Sequence, residues 1–156
     1  KYKRPSPETA PSASKAAGLY MICTYSKHKA ERAGYNEALM LDYRGYIAEA
    51  TCANMFFVIG DELHTPIADC FLDGITRQTI LGLAKDLGIK TVERHIKPEE
   101  LENVTDSFIT GTAAEITRVN SIDNPEDNKK YNFSASKITL DLMQAYAKLI
   151  KGDSDA

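Results

Sequence analysis

Residues 54–66 read Asn54-Met-Phe-Phe-Val-Ile59, then Gly60-Asp61, then Glu62-Leu-His-Thr65 and Pro66. Two short β-prone runs joined by a glycine-containing dipeptide predict a β-hairpin, because glycine adopts the backbone angles of a tight turn without steric cost. Pro66 has no backbone N–H to donate to a neighbouring strand, so it marks the end of the second run. The centre of the chain is therefore predicted to be antiparallel β-structure.

Further strands are predicted on both sides of this hairpin. Upstream, residues 37–42 and 46–50 flank a turn that contains Gly45, and this second hairpin places Glu49 on a strand. Downstream, three β-prone runs are predicted as strands, at residues 89–96, 107–110 and 115–119. The polar stretch at residues 120–130 is predicted to be a loop.

Helices complete the pattern. The helix predicted over residues 76–87 carries apolar residues at i, i+3, i+4 and i+7 from Ile80 to Leu87, and Gly88 follows as a stop. Other helices are predicted over residues 21–32, 98–101 and 136–151. Strands dominate, so the predicted fold class is α+β, with helices packed outside a sheet.

Composition excludes several classes of function. The 156 residues carry a net charge of −3, with acidic and basic residues mixed along the chain, so no basic stripe is available for a nucleic-acid backbone. No apolar run approaches the roughly 20 residues that a membrane helix needs. With 43% hydrophobic residues, the chain is long enough to form one core. We expect neither a nucleic-acid partner nor a membrane span.

Cysteine and histidine spacing indicates neither disulfides nor a metal site. The three cysteines are odd in number and widely spaced, which favours free thiols and a cytoplasmic location. The three histidines lie at no ligand spacing and are expected to be surface or packing residues. These residues are Cys23, Cys52, Cys70, His28, His64 and His95.

Both ends of the chain are predicted to lie outside the folded domain. Residues 5–12 are rich in proline and serine, so residues 1–14 are expected to form an interdomain linker rather than a core element. Residues 153–156 are expected to form a tail. The folded domain is therefore predicted to span residues 15–152.

Two ionisable residues stand among small or apolar neighbours. Lys15 lies in a run of small residues, where shielding from water would lower its pKa and make its neutral amine nucleophilic; an ordinary solvated lysine is the alternative. Glu49 lies among apolar residues, where a carboxylate must find a partner or take up a proton. A protonated pyridine nitrogen would be such a partner, and the alternative is a strand-edge glutamate that faces water.

Two turns are candidate anion sites. Residues 72–77 lead into the predicted helix, whose free N–H groups would bind a phosphate that approaches closely over Gly74. The alternative is an ordinary helix cap formed by Asp73 or Thr76. Residues 111–114 form a second small-residue turn, either an anion nest or a turn without function.

Together these segments resemble the branched-chain amino-acid aminotransferases, which are class IV pyridoxal-phosphate enzymes with the D-amino-acid-aminotransferase fold. The resemblance extends over nearly the whole chain. The matching stretches are Lys15-Ala-Ala-Gly-Leu-Tyr20, Leu41-Asp-Tyr-Arg-Gly-Tyr-Ile-Ala-Glu-Ala50, Asn54-Met-Phe56, Thr65-Pro66, Leu72-Asp-Gly-Ile-Thr-Arg77, Leu87-Gly-Ile89, Glu93-Arg94 and Thr110-Gly-Thr-Ala-Ala-Glu-Ile-Thr117. The departures, at Ala17, Leu19, Cys52 and Arg118, fall where the side chains do not perform the chemistry.

The resemblance implies roles for three side chains. Lys15 matches the catalytic lysine that holds pyridoxal phosphate as an internal aldimine and then moves a proton at the substrate α-carbon. Glu49 matches the carboxylate that keeps the pyridine nitrogen protonated. Tyr20 matches the tyrosine that hydrogen-bonds the phenolic oxygen of the ring.

Further positions are implied to bind the cofactor or the substrate. Ile75 and Thr76 match residues whose backbone N–H groups hold the phosphate, and Thr112 matches a further contact to phosphate or to the substrate carboxylate. Ala113 matches an N–H that binds the substrate carboxylate. Leu72 and Gly74 are implied to shape the face on which the ring lies.

The resemblance also implies the architecture and the activity. The chain would be the large C-terminal, cofactor-binding domain, with a mixed, mainly antiparallel, barrel-like sheet. The implied reaction is transamination of leucine, isoleucine and valine with 2-oxoglutarate, in a full-length protein that is a homodimer or higher homo-oligomer. An N-terminal domain, expected to supply a phosphate-binding arginine and part of the substrate pocket, is absent, so this piece alone is predicted to be inactive.

Three alternative functions remain at this stage. D-amino-acid aminotransferase and aminodeoxychorismate lyase share the lysine, the glutamate and the phosphate site. A non-catalytic remnant domain that binds cofactor or another subunit is the third.

Overall fold

A computed structural model describes residues 2–125 and 127–152 of the chain. The predicted tail, residues 153–156, lies outside the described residues. Seven strands form the main sheet, namely β1 (Leu39–Leu41), β2 (Ile47–Ala50), β3 (Asn54–Ile59), β4 (Glu62–Pro66), β5 (Thr91–Arg94), β6 (Asp106–Gly111) and β7 (Glu115–Arg118). Both predicted hairpins are present, as β1–β2 and β3–β4.

β3 organises this sheet. It pairs with β6 over residues 54–58 and with β2 and β4 at its two ends. Among these seven strands, all pairings are antiparallel except that of β4 with β5, so the sheet is mixed and mainly antiparallel as predicted. β2 and β5 are not neighbours in the strand order, yet the Ile47 N–H of β2 donates to the Ile96 carbonyl just after β5 at 2.8 Å. The sheet therefore curls so that these two strands approach each other.

Alternate residues of β3 enter two different apolar clusters. Met55 and Phe57 pack on one face with Ile47, Ile96 and other residues, whereas Phe56 and Val58 pack on the other. Successive side chains of a strand point to opposite faces, and both faces of β3 are covered. This explains why residues 55–59 form a continuous apolar run instead of alternating with polar residues.

In the part of the chain that the structure describes, three α-helices and two 3-10 helices accompany the sheet. The α-helices are α1 (Met21–Arg32), α2 (Ile75–Asp86) and α3 (Lys137–Lys151), and the 3-10 helices span Ala17–Tyr20 and Pro98–Asn103. Ile80 of α2 and Leu142 of α3 are buried in the second cluster, which places these helices against one face of the sheet. No described helix is long and apolar enough to cross a membrane.

The loop predicted over residues 120–130 is wrong. Two strands, β8 (Ser121–Asn124) and β9 (Lys129–Asn132), pair as a separate antiparallel hairpin. Its polar composition concealed it: Asp123 pairs opposite Lys130 with 3.6 Å between their charged atoms, while only Ile122 and Tyr131 pack onto the core. A surface hairpin of this kind lacks the apolar alternation by which strands are recognised.

Residues 1–14 were not expected to be a core element, but part of this segment packs against the sheet. The Arg4 N–H donates to the Leu41 carbonyl at 2.8 Å, and Arg4 forms an isolated parallel bridge with Asp42 beside β1. The side chains of Arg4 and Ser12 are buried. That residues 1–14 connect two domains stays a prediction.

Candidate active site

Glu49 lies at the centre of the candidate site. Its position on β2 is opposite Asn54 of β3, and only 6% of the residue is exposed. The alternative prediction of a strand-edge glutamate facing water is therefore wrong. Burial raises the pKa of Glu49 to about 8, while the nearby Arg4 guanidinium acts to lower it.

Arg4 is the partner that this buried carboxyl requires. The Arg4 Nε and Glu49 Oε1 atoms are 3.2 Å apart, and Arg4 Nη1 donates to the Leu19 carbonyl at 3.1 Å and to Cys23 Sγ at 3.2 Å. The guanidinium thus connects β2 to the start of α1. Sequence reasoning missed this residue, because a lone arginine in a polar, proline-rich stretch gives no signal of burial.

Asn54 links Glu49 to the start of α2. Its Nδ2 donates to the Leu72 carbonyl at 2.9 Å and lies 3.5 Å from Glu49 Oε2, and its Oδ1 accepts from the Gly74 N–H at 3.2 Å. One amide therefore fixes a carboxylate relative to a helix N-terminus. Asn54 stood in a stretch that resembles the family, but no role for it followed from the sequence.

The N-terminus of α2 has no side-chain cap. Gly74 is the N-cap residue, Asp73 pairs with Arg77 at 2.8 Å instead, and Thr76 is buried, so the prediction of an Asp73 or Thr76 cap is wrong. The first-turn N–H groups are thus left to bind an anion. A Cβ atom at Gly74 would lie 2.6 Å from Asn54 Oδ1, so the close packing here requires glycine.

Arg77 fastens this helix start to the sheet. Its buried guanidinium donates to Glu93 at 2.6 Å and to the Pro66 carbonyl at 2.9 Å, in addition to Asp73. Glu93 belongs to β5 and Pro66 to β4, so the turn before α2 is held by two strands. This gives the candidate anion site a rigid base.

The remaining predicted residues lie around this centre. Tyr20 ends the first 3-10 helix and is half-buried; burial and then the negative charge of Glu49 raise its pKa, so the phenol stays neutral and can donate a hydrogen bond. Leu72 is half-buried and reaches the centre through its carbonyl, which accepts from Asn54. Tyr20 and Leu72 thus lie around Glu49 and Asn54, and their roles stay predictions.

Other predicted residues face solvent. Lys15, Ile75, Thr112 and Ala113 are exposed, and Ile75 has 84% of its surface accessible. The shielding of Lys15 expected from its small neighbours is therefore not present, because residues 13–18 are themselves exposed. The turn at residues 111–114 nevertheless lies beside the β2–β3 connection, since a Cβ at Gly111 would be 3.6 Å from the Cys52 carbonyl oxygen.

A group of acidic and thiol side chains lies near the β1–β2 turn. Asp42, Asp69 and Cys70 bring possible metal-ligand atoms within 4.8 Å of one another. Arg44 already occupies this group, with Nη2 at 2.7 Å from Asp42 Oδ2 and 2.8 Å from Asp69 Oδ2. The Arg44 guanidinium thus offsets part of the negative charge, and the group is explained as an ion-pair network.

Comparison with known families defines the class of protein. The family model of class IV amino-transferases matches residues 1–122 of the chain. The chain belongs to the class IV aminotransferase family.

Within that family, the chain is similar to curated branched-chain-amino-acid aminotransferases. A probable branched-chain-amino-acid aminotransferase of Rickettsia felis is 45% identical over 151 residues, which cover 97% of this chain and 51% of the relative. The branched-chain-amino-acid aminotransferase of Escherichia coli K12 is 37% identical over 155 residues, covering 99% of this chain and 49% of that protein. The chain spans about half the length of the curated relatives it matches.

Solved structures confirm the predicted fold. A branched-chain aminotransferase from Thermoproteus uzoniensis, crystallised with norvaline, superposes with a TM-score of 0.91 at 33% identity over 99% of this chain and 50% of that one. An aminotransferase from Brucella abortus, bound to the cofactor PLP, gives a TM-score of 0.87 at 27% identity, over 97% and 52% of the two chains. The α+β architecture and the predicted resemblance to branched-chain aminotransferases are both confirmed.

Proposed function

We propose that the full-length protein transaminates branched-chain amino acids, and that this chain supplies the part of the site that binds pyridoxal phosphate. One observation carries the proposal: Asn54 joins the buried Glu49 carboxyl to the uncapped start of α2 at Gly74. A carboxyl suits the pyridine nitrogen of this cofactor and a helix N-terminus suits its phosphate. The Asn54 side chain thus connects the group that suits the ring nitrogen with the group that suits the phosphate.

The residues present fit the cofactor. The N–H groups of Ile75 and Thr76 would hold the phosphate, with Thr112 as a further contact. The absence of a side chain at Gly74 makes room for the Asn54 amide at the start of α2. Leu72, two residues before Gly74, would support the ring. Tyr20 would donate to the phenolic oxygen of the ring, since its neutral phenol keeps its proton.

Glu49 controls the proton at the ring nitrogen. Bound pyridoxal phosphate supplies an electron sink for the bond that breaks at the substrate α-carbon. Burial raises the Glu49 pKa to about 8, and the Arg4 guanidinium acts in the opposite direction by favouring the ionised carboxylate. Next to a protonated ring nitrogen, Glu49 would remain a carboxylate and would stay paired with Arg4.

Lys15 is proposed as the catalytic residue. Its Nζ would attach the cofactor and then move the proton at the substrate α-carbon. An amine that acts in this way needs a site from which water is excluded, and Lys15 is exposed in this chain. We therefore propose that parts of the protein outside this chain cover Lys15, and that the chain alone turns over substrate slowly or not at all.

The substrate class rests on the relatives. Branched-chain-amino-acid aminotransferases are the curated relatives at 45% and 37% identity, which favours them over D-amino-acid aminotransferase and aminodeoxychorismate lyase. We propose leucine, isoleucine and valine as amino donors and 2-oxoglutarate as acceptor, with Ala113 and Thr112 binding the substrate carboxylate. A cytoplasmic location and a homo-oligomeric full-length protein belong to the same proposal.

Amino-donor specificity tests this function. The full-length protein is assayed with 2-oxoglutarate and each of L-leucine, L-isoleucine, L-valine and D-alanine, with a Lys15→Ala variant as the inactive control. Turnover of the three branched-chain donors that is lost in the variant supports the proposal. Turnover of D-alanine alone would assign the protein to a neighbouring activity, and binding of cofactor without any turnover would indicate a non-catalytic domain.

A further inference from the structure

We propose that Arg4 is a positioning residue for the reaction: it holds the Glu49 side chain as a carboxylate directed at the cofactor ring. This inference rests on the proposed function. Arg4 would not touch substrate or cofactor; it would act through Glu49.

The burial of Arg4 requires a specific negative partner. Arg4 and Arg77 are both almost fully buried, at 1% and 2% exposure. Arginine stays protonated in proteins, and a buried cation without an anion is strongly unfavourable. Arg77 has Asp73 and Glu93, whereas the ion pair of Arg4 among the described residues is with Glu49. The positive charge of Arg4 is therefore paired with a residue of the candidate active site.

The guanidinium is held on several sides. The backbone N–H of Arg4 is bonded to Leu41, which fixes the segment beside β1. Nη1 donates to the Leu19 carbonyl and to Cys23 Sγ, which fixes the far end of the side chain against the start of α1. Of the other two guanidinium nitrogens, Nε lies 3.2 Å from Glu49 Oε1 and forms an ion pair with it. Three elements thus determine where the positive charge lies.

Glu49 is in turn held through both carboxylate oxygens. Oε1 lies against Arg4, and Oε2 lies 3.5 Å from the Asn54 amide nitrogen. Asn54 is neutral and can orient the carboxyl in either protonation state, whereas Arg4 favours only the ionised form. Orientation is therefore shared between two residues, while the charge state depends on Arg4.

The other titratable groups near Glu49 cannot replace Arg4. Tyr20 from the first 3-10 helix, Cys23 from α1 and Cys52 from the β2–β3 connection interact electrostatically within this cluster. Each is neutral or negative, so none favours a second negative charge. Without Arg4, Glu49 and the ring nitrogen would compete for one proton, and the desolvated carboxyl would keep it. The ring nitrogen would then lose its positive charge.

The test measures the protonation of the ring nitrogen directly. Full-length protein is loaded with pyridoxal phosphate labelled with ¹⁵N in the ring, and the ¹⁵N chemical shift is followed with pH for the unmodified protein and for Arg4→Met, Arg4→Lys and Glu49→Gln. Lys3→Met serves as a matched control, because Lys3 is an exposed cation one residue away.

We expect a protonated ring nitrogen in the unmodified protein and in Lys3→Met. Arg4→Met should shift the signal towards the unprotonated position, as Glu49→Gln does, with a fall in the apparent pKa of the ring nitrogen of about one unit or more, a roughly tenfold change in the protonation equilibrium. Arg4→Lys keeps the charge, so it should stay closer to the unmodified protein than Arg4→Met does. In turnover, Arg4→Met should lower kcat more than it raises KM.

The possible outcomes distinguish a failure of this inference from a failure of the proposed function. If the unmodified protein binds the cofactor with a protonated ring nitrogen and Arg4→Met leaves the signal unchanged, the positioning role is refuted while the function stands. If Arg4→Met does not fold, Arg4→Lys decides: a shift as large as that of Glu49→Gln would show that charge at residue 4 does not set the protonation state. If the unmodified protein fails to bind the cofactor, the proposed function itself fails.

Discussion

Gly74→Ala is predicted to weaken cofactor binding without disrupting the fold. An alanine Cβ at this position would lie 2.6 Å from Asn54 Oδ1, which is closer than two heavy atoms pack without strain. The Asn54 amide must therefore move, and its movement breaks the 3.2 Å bond from the Gly74 N–H and disturbs the 2.9 Å bond to the Leu72 carbonyl. Both bonds define the start of α2 relative to Glu49.

The size of the effect follows from these contacts. Two disturbed hydrogen bonds are worth roughly 1–3 kcal/mol in total, which corresponds to about 5- to 150-fold weaker binding of pyridoxal phosphate. The overpacked site should also lower the free energy of unfolding by about 1–3 kcal/mol. Cofactor affinity is measured by titrating the absorbance of the full-length apoprotein, and stability by thermal unfolding.

The chain provides a matched control in the same helix. Gly82 lies within α2, whose N-cap residue is Gly74, and a Cβ added at Gly82 meets nothing within 4 Å. Gly82→Ala should leave cofactor affinity unchanged and should stabilise the protein by about 0.8–1 kcal/mol, because alanine is the better helix former. If Gly74→Ala binds the cofactor as tightly as Gly82→Ala does, the link from Asn54 to the helix start has no functional meaning.

Three further predictions concern the apoprotein. Leu142→Ala should lower the free energy of unfolding by roughly 2–5 kcal/mol in urea titration, because Leu142 is fully buried between α3 and the sheet. Ser136→Ala should lower the free energy of unfolding by about 1 kcal/mol, because the Ser136 hydroxyl accepts from the Thr139 N–H at 3.1 Å and caps α3; an unchanged melting temperature would contradict this. Folding raises the pKa of Glu49 from 4.5 to about 8, so between these pH values the folded protein holds a proton that the unfolded chain has lost. The stability that Glu49 contributes is therefore fully present below about pH 4.5 and is lost as the pH rises to about 8. Glu49→Gln should therefore gain stability relative to the unmodified apoprotein between those pH values, and a constant difference would contradict the raised pKa.

The sheet was largely predictable because its central strand is buried on both faces. Residues 55–59 form an apolar run followed by turn residues, and this local signal agrees with the tertiary environment. The β8–β9 hairpin was missed for the opposite reason. Its strands are mostly solvated, and cross-strand pairing between residues such as Asp123 and Lys130 is visible only after the chain has folded.

The candidate site was predictable in part. Glu49 was recognised because a carboxyl among apolar residues is unusual, and its burial bears out that reasoning. Arg4 and Asn54 were not recognised, because their roles depend on contacts with residues far along the chain, such as Arg4 with Glu49 and Asn54 with Gly74. The expected shielding of Lys15 was inferred from small neighbours alone, which say nothing about what covers them.

Intact-mass analysis tests directly whether the cofactor attaches to Lys15. The full-length protein and its Lys15→Ala and Lys29→Ala variants are incubated with pyridoxal phosphate, reduced with borohydride and weighed by mass spectrometry; Lys29 is an exposed lysine on α1. We predict one pyridoxyl adduct per chain in the unmodified protein and in Lys29→Ala, and none in Lys15→Ala. An adduct that persists in Lys15→Ala, or none in the unmodified protein, would contradict the assignment of the site.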